Sequence, residues 1–403
     1  MNFKDAYKKG QEGSNKGLPM GKGLEAVSSA VNEIQRAMIY GVAASPKGGK
    51  STFVDAGFVI APLIYVIDNN TKFNSYIESG MNPEDIKRDF QMSYIDCEII
   101  YLSYEIDRIS KEFDFCCHFL NHDFGIEHIQ LDAGVTYNGK STIDLSSLYL
   151  RGQLLDDNKK LIKVKESIYN ALITVYENRI VPLFGEYSSE GKLLSKGYIT
   201  FIENKENPTG IRNYLIAHAK LHGEIIYTEF IGSDKKKHKK MVGYNAHNPD
   251  KYVMIVTDHL RKLTSERGYT LKQTVDKFSE YAVEIKNLFK YTFVHIIHLN
   301  RSMTEVARMK QQGDMIYPNS DDIKETGNLA EDCDFLFTLF NPNDDRYKLT
   351  KHFDKAIRDR HDNLIYPNLR TIHLVESRHT FYPQHFRVNM YGGIKKFEKL
   401  VIK

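Results

Sequence analysis

Nine consecutive residues, Ala44-Ser45-Pro46-Lys47-Gly48-Gly49-Lys50-Ser51-Thr52, carry the clearest chemical signal in the chain. Glycines closing on Lys-Ser, between an apolar run and a helical pattern, describe a phosphate-binding loop. In such a loop backbone N–H groups curl around phosphate oxygens, Lys50 reaches the β/γ-phosphates, and the Ser51 hydroxyl ligates Mg²⁺. Ala44, Gly48, Gly49, Lys50, Ser51 and Thr52 are therefore the expected nucleotide-binding set. The usual pattern opens with glycine, where this chain has Ala44. A glycine-rich turn that merely precedes Lys-Ser is the plain alternative, so the rest of the chain has to decide.

Three further side chains sit where such a loop needs help. A magnesium-dependent site requires a carboxylate at the end of a buried strand. Val253-Met254-Ile255-Val256-Thr257-Asp258 supplies Asp258, which also reads as a cap for a following helix. Glu105, just past a second apolar run, is placed to orient or deprotonate water, because the carboxyl ends of adjacent parallel strands share one crevice. From position alone it reads equally as an acidic residue in a first helical turn. His298 ends a third run, where it either senses a phosphate or serves a structural role.

The elements that must position these groups follow from the pattern of apolar residues. Strands are expected at 37–43, 97–103, 252–257, 293–299, 334–340, 371–375 and 386–390. Helices are expected at 24–36, from 52 to about Pro62, at 107–120, 158–178, 211–222 and 271–289, with a hairpin near 138–140. Continuously apolar strands alternating with helices indicate an α/β fold, with a parallel sheet covered on both faces. Residues 1–24 read as a glycine-rich arm or linker, and 25–403 as one nucleotide-binding domain.

Composition narrows the class. The 403 residues are 41% hydrophobic and 27% charged, which excludes wholesale disorder. A formal net charge of +3 is too small for bulk attraction to nucleic acid, so any polyanion site must be local. The four cysteines, Cys97, Cys116, Cys117 and Cys333, lack paired CxxC spacing, which argues against metal knuckles and a disulfide framework. The start of the chain lacks a signal-like apolar core, and the longest apolar run, 53–67, is broken by Asp55 and Pro62. A soluble cytoplasmic protein with no membrane partner is expected.

The order of these motifs resembles the ATPase domain of DnaB-type replicative DNA helicases, ring-forming members of the RecA-like fold. The phosphate loop has that family's Ala-x-Pro-x-x-Gly-Lys-Ser/Thr form, which accounts for Ala44. Gly17-Leu18-Pro19-Met20-Gly21 is similar to its Gly-x-Pro-x-Gly lead-in, and Ser103-Tyr104-Glu105-Ile106 to its Ser-Leu-Glu-Met. His298-Leu299-Asn300-Arg301 matches Gln-Leu-Asn-Arg, with histidine at the sensor position as in related phage helicases. The most specific match is Ser320-Asp321-Asp322-Ile323-Lys324-Glu325-Thr326-Gly327, continuing to Asp334, which is similar to the family's Ser-Asp-Leu-Arg-Glu-Ser-Gly stretch. Val375-Glu376-Ser377-Arg378 falls where the family has Lys-x-Arg, with Glu376 in place of the lysine.

The resemblance covers roughly residues 17–395 and is faint through 121–250, where insertions near 125–145 and 223–250 are expected. It implies ATP and Mg²⁺ as cofactors, Glu105 as catalytic base, Asp258 on the metal side, His298 as γ-phosphate sensor and Arg378 as a finger into the neighbouring subunit's site. It further implies a homohexameric ring on single-stranded or forked DNA, with a primase or helicase loader as partner. The long segment 301–327 is the expected strand-binding region, with Arg308, Lys310 and Lys324 as its DNA contacts. The Lys235–Lys240 run is a competing patch that also reads as a solvated loop. Neither a helical collar domain nor a fused primase is expected, an economy that resembles phage proteins. The alternatives are a RecA- or clock-type ATPase that binds DNA or protein without unwinding, and a low-turnover nucleotide-binding loader.

Overall fold

The computed structural model describes residues 17–204, 206–232, 235–300, 306–323 and 327–400. Nine strands form the central sheet: β1 (Ile39–Ala44), β2 (Cys97–Ser103), β3 (Ile199–Ile202), β4 (Tyr252–Asp258), β5 (Thr292–His298), β6 (Phe335–Phe340), β7 (Leu369–Ser377), β8 (Gln384–Tyr391) and β9 (Lys396–Lys399). They lie in the order β9-β8-β7-β6-β1-β5-β4-β2-β3. Every pairing from β6 to β3 is parallel, and β6 to β9 pair antiparallel. The expected parallel sheet is therefore the nucleotide half, and the last three strands extend it antiparallel. The short connections 378–383 and 392–395 leave no room for a crossover, so β8 must pair antiparallel with β7, and β9 with β8.

Alternation within each strand feeds two cores. Tyr40, Val42 and Ala44 of β1 and Ile99 and Tyr101 of β2 face one side, with helices α1 (Lys50–Glu78) and α2 (Arg108–Phe124). Ile39 and Ala43, with Ile100 and Leu102, face the other, against α3 (Pro208–Leu221) and α4 (Leu271–Phe289). Because both faces are covered, the strands read as unbroken apolar runs rather than alternating ones.

Several boundaries differ from expectation. The helix after the phosphate loop does not stop near Pro62 but runs to Glu78 through a π-turn at Asp55–Ile60. The wider turn makes room for a proline ring that an α-helical interior would reject. α1 is long and apolar enough to cross a membrane, yet it is the mostly buried core helix against the sheet. The helix expected over 24–36 is only Glu25–Ala30, because Asn32 and Glu33 turn to positive φ and Ile34 pairs back with Leu18. Leu18, Met20 and Leu24 are buried in the core, so the end of the expected arm is part of the domain.

The helix expected at 158–178 begins at Glu166 and continues past Val175 to Phe184 through another π-turn. Strands β3 and β9 escape the apolar pattern, the first being short and half-buried and the second alternating Lys-Phe-Glu-Lys. Residues 125–145 contain the small hairpin His128–Gln130 with Thr142–Asp144. The lysine run is not a plain loop. It enters the strand Lys237–Ala246, which pairs with Gly223–Ile231 in an exposed ribbon outside the main sheet.

Candidate nucleotide and catalytic site

The phosphate loop leaves the carboxyl end of β1, and Gly48 closes it by donating its N–H to the Ser45 carbonyl at 2.9 Å. Ala44 is fully buried and in strand register with His298, with no left-handed backbone requirement. Alanine is therefore tolerated at the position where glycine is usual. Gly49 is different: its φ is +95°, and a Cβ there would lie 2.5 Å from Met390 Sδ of β8. The backbone conformation demands glycine, and a side chain there would also have to push aside the end of Met390. Lys50 opens α1 and is buried, with half-buried Ser51 and Thr52 in the same first turn. That turn presents backbone N–H groups beyond the helix end, the arrangement that suits phosphate oxygens. The loop thus fits a nucleoside polyphosphate.

Beside the loop, the carboxyl ends of β2, β4 and β5 converge. Asp258 ends β4 directly opposite Ser103 of β2 and is 2% exposed. Its backbone carbonyl accepts the Tyr104 N–H at 2.9 Å, tying the turn that carries Glu105 to the end of β4. Glu105 is half-exposed, with Oε2 3.3 Å from His259 Nε2. The His259 ring in turn packs edge-on against His298, centroids 4.3 Å apart. Glu105, His259 and His298 therefore form one contiguous row next to the loop.

His259 carries no sequence signal of its own, although it adjoins Asp258; nothing in one sequence distinguishes it from a histidine after any strand. Burial lowers its pKa, outweighing the upward pull of Glu105 and Asp258, and Lys50 and Lys262 push the same way as burial. The neutral imidazole is the form that burial favours.

Behind the row lies a buried charge network that sequence reasoning missed. Lys111 of α2, fully buried, places Nζ 3.1 Å from Asp55 Oδ2, 3.0 Å from Tyr101 Oη and 3.7 Å from Asp258 Oδ2. Lys395, from the β8–β9 turn, reaches the same Asp55 oxygen at 2.9 Å. Burial alone would raise the Asp55 pKa, but Lys111 and Lys395 outweigh it and hold the carboxyl below the usual range. Tyr101 is pushed well up by burial and by the Asp55 and Asp258 charges, which keeps its hydroxyl protonated. A carboxylate in the π-turn of α1, a cation on α2 and a cation from the last turn thereby fix the loop helix against Asp258. The signal was present as charged residues inside apolar helices, but their partners are far away in sequence.

Arg378 lies at the opposite end of the sheet. Ser377 pairs with Phe335 at the start of β6, whereas the phosphate loop follows the end of β1. The five-residue parallel register between β1 and β6 separates the two by roughly 15–20 Å of strand rise. Arg378 cannot serve its own loop. Its guanidinium is half-exposed, donates to the Glu331 carbonyl and lies 3.8 Å from Asp334 Oδ1.

The segment after β5 contains the helix Val306–Gln312 and short 3₁₀ turns. Arg308 is engaged internally: its guanidinium pairs with the buried Asp322 and donates to the Tyr317 carbonyl at 3.1 Å. Lys310 is exposed, and Lys324 falls outside the described residues.

No protein-family model and no curated protein matches the chain by sequence. Solved structures do match by shape. One of them, an ATPase domain, superposes with a TM-score of 0.57 at 11% identity, over 98% of this chain and 96% of that one. A DnaB-like replicative helicase, described with its interactions with primase, gives a TM-score of 0.55 at 11% identity; here 98% of this chain spans 65% of the other. The chain therefore has the RecA-like α/β fold of DnaB-like helicase ATPase domains.

Proposed function

We propose that the chain is an ATP-hydrolysing, Mg²⁺-dependent motor of the DnaB type, which translocates on single-stranded DNA as a homohexameric ring and unwinds forked duplexes. The observation that carries this reading is the row Glu105–His259–His298 beside the Lys50–Ser51 loop, with Asp258 buried at the same strand edge. Lys50, Ser51 and the first-turn N–H groups would hold the nucleotide's phosphates, and Ser51 with Asp258 would hold the magnesium. That ion supplies charge neutralisation on the phosphates. Glu105 accepts a proton from, or orients, the attacking water, and neutral His259 steadies its carboxylate. His298 registers the γ-phosphate side of the loop. Catalysis is mainly positioning and electrostatics, to which an arginine in trans adds about 10³–10⁵ in rate.

Arg378 suits that trans role because it is remote from its own loop and half-exposed. Of the two expected DNA contacts among the described residues, Lys310 is the exposed one, and Lys324 remains proposed. Arg308 acts instead through Asp322 to brace the strand-binding segment. A primase or helicase loader is the proposed accessory partner, and the cytoplasm the proposed setting, that of the host if the chain is phage-encoded. The domain is proposed to comprise residues 17–403, with 125–145 and 223–250 as insertions.

DNA-stimulated ATP hydrolysis, unwinding of a forked duplex and native mass with nucleotide and single-stranded DNA test the proposal together. Turnover stimulated by DNA without unwinding would favour the RecA- or clock-type alternative. Binding without turnover would favour the loader, and a strict monomer would overturn the ring.

A further inference from the structure

At the end of the sheet opposite the phosphate loop, one side chain breaks an otherwise apolar strand. Glu98 is the second residue of β2 and lies on the same face as Ile100 and Leu102, against the α3–α4 layer. Its carboxylate is 5% exposed. Burying an ionised carboxylate costs several kcal/mol unless cations or donors surround it, so the position demands an explanation.

Two imidazoles face it. His218 and His222 stand one turn apart at the end of α3, on the same helix face. Their Nε2 atoms lie 3.3 Å and 3.7 Å from the same oxygen, Glu98 Oε2, and all three donor atoms fall within 4.8 Å of one another. A four-coordinate ion with bonds of about 2.0–2.1 Å has ligand–ligand edges of about 3.4 Å. The two imidazole–carboxylate edges, 3.3 Å and 3.7 Å, match that spacing, and the third lies within 4.8 Å. His218 is 7% exposed, its Nδ1 is 2.8 Å from Tyr291 Oη, and its Nε2 has no hydrogen-bond partner among the described residues. A ring nitrogen bonded on its far side, with the other nitrogen aimed at a carboxylate, is how a metal-binding histidine is held.

Two lysines also reach Glu98. Lys196 Nζ is 2.7 Å from the other oxygen, Oε1, and so competes little for the imidazole side. Lys251 Nζ lies 3.2 Å from Oε2 but also 3.4 Å from Asp96 Oδ1. A cation at Oε2 displaces Lys251 onto a carboxylate it already contacts.

We propose that Glu98, His218 and His222 form a site for a divalent cation of the zinc class, with Tyr291 orienting His218. Nitrogen and carboxylate donors in this number suit zinc better than magnesium or calcium, which prefer oxygen alone. The site clips the end of α3 to the start of β2. It also secures the base of the 223–246 ribbon, because the His222 carbonyl accepts the His247 N–H at 2.9 Å. It is independent of the nucleotide chemistry.

The test uses the full chain without a histidine tag, stripped with chelator and re-exposed to zinc against a chromophoric competitor. Metal content and melting temperature are then read. Wild type and Lys50→Ala are expected to take up one zinc per chain and to melt higher with it. His222→Ala, altering the most exposed of the three ligands, loses both effects. Tyr291→Phe weakens binding about tenfold, and Lys251→Met tightens it. Failure of the wild-type chain to compete for zinc, or equal uptake by His222→Ala, overturns the proposal. If His218→Ala does not fold, the His222 and Lys251 variants still decide it.

Discussion

Replacing Lys111 with methionine keeps length and bulk but removes the cation at the centre of the buried network. Lys111 and Asp55 are both fully buried and 3.1 Å apart, and the same ammonium lies 3.7 Å from Asp258. Removing one member of a buried pair costs about 3–5 kcal/mol, because the remaining charge stays buried. Asp55 keeps Lys395 at 2.9 Å, which puts the expected loss at the lower end, about 3 kcal/mol. With a urea m-value of about 3 kcal/mol/M, the denaturation midpoint falls by about 1 M.

The pH dependence has a definite sign. The folded Asp55 pKa lies below its ordinary value, so its contribution is fully present above an unfolded pKa of about 3.9 and is lost as pH falls through the folded value. Without Lys111 that folded value rises, and acid unfolding starts at a higher pH. A Lys111→Met chain with its urea midpoint and acid transition unchanged would refute the network as a stabilising element.

Glu105→Gln should lower the hydrolysis rate about 10²–10⁴-fold while leaving nucleotide binding, measured by fluorescent-analogue titration, within a few-fold. Gly49→Ala, which meets both a positive φ and Met390, should abolish nucleotide binding in the same titration although the chain remains folded by circular dichroism. Arg378→Ala should lower hydrolysis about 10³-fold or more. Mixing it with Glu105→Gln subunits should restore part of the activity, since the two halves then meet across an interface; no restoration would remove Arg378 from the trans role. The activity profile should hold through neutral pH and fall on the acid side of the ordinary histidine range, about 6.5, where His259 protonates. His259→Asn should flatten that fall.

The local part of the site is readable because the phosphate loop is a contiguous backbone device. Its glycines, Lys50 and Ser51 fall within one turn, β1 announces itself by an unbroken apolar run, and the start of α1 by a helical pattern. Asp258, Glu105 and His298 are readable as strand-end residues, since a parallel sheet brings its carboxyl ends together whatever the loops between them do. Pro62 misleads because a π-turn absorbs it, a backbone adjustment without a sequence signature. The lysine run misleads because its pairing partner, Gly223–Ile231, has no alternation strong enough to announce a ribbon. Arg308 reads from sequence as a free cation, and its Asp322 partner, fourteen residues on, becomes visible only once the segment is folded.

By itself the sequence determined the phosphate loop, the alternation of strands and helices, and the candidate residues at strand ends, all of which depend on neighbours within a turn or on strand periodicity. Tertiary structure alone decided which of those residues touch. It inserted His259 between Glu105 and His298, joined Asp55, Lys111 and Lys395 from three elements, and set Arg378 at the far end of the sheet. It also gathered Glu98, His218 and His222 around one oxygen. These outcomes depend on strand order and on helix packing over separations of up to several hundred residues, where the free energy of a contact leaves no local trace in composition or spacing.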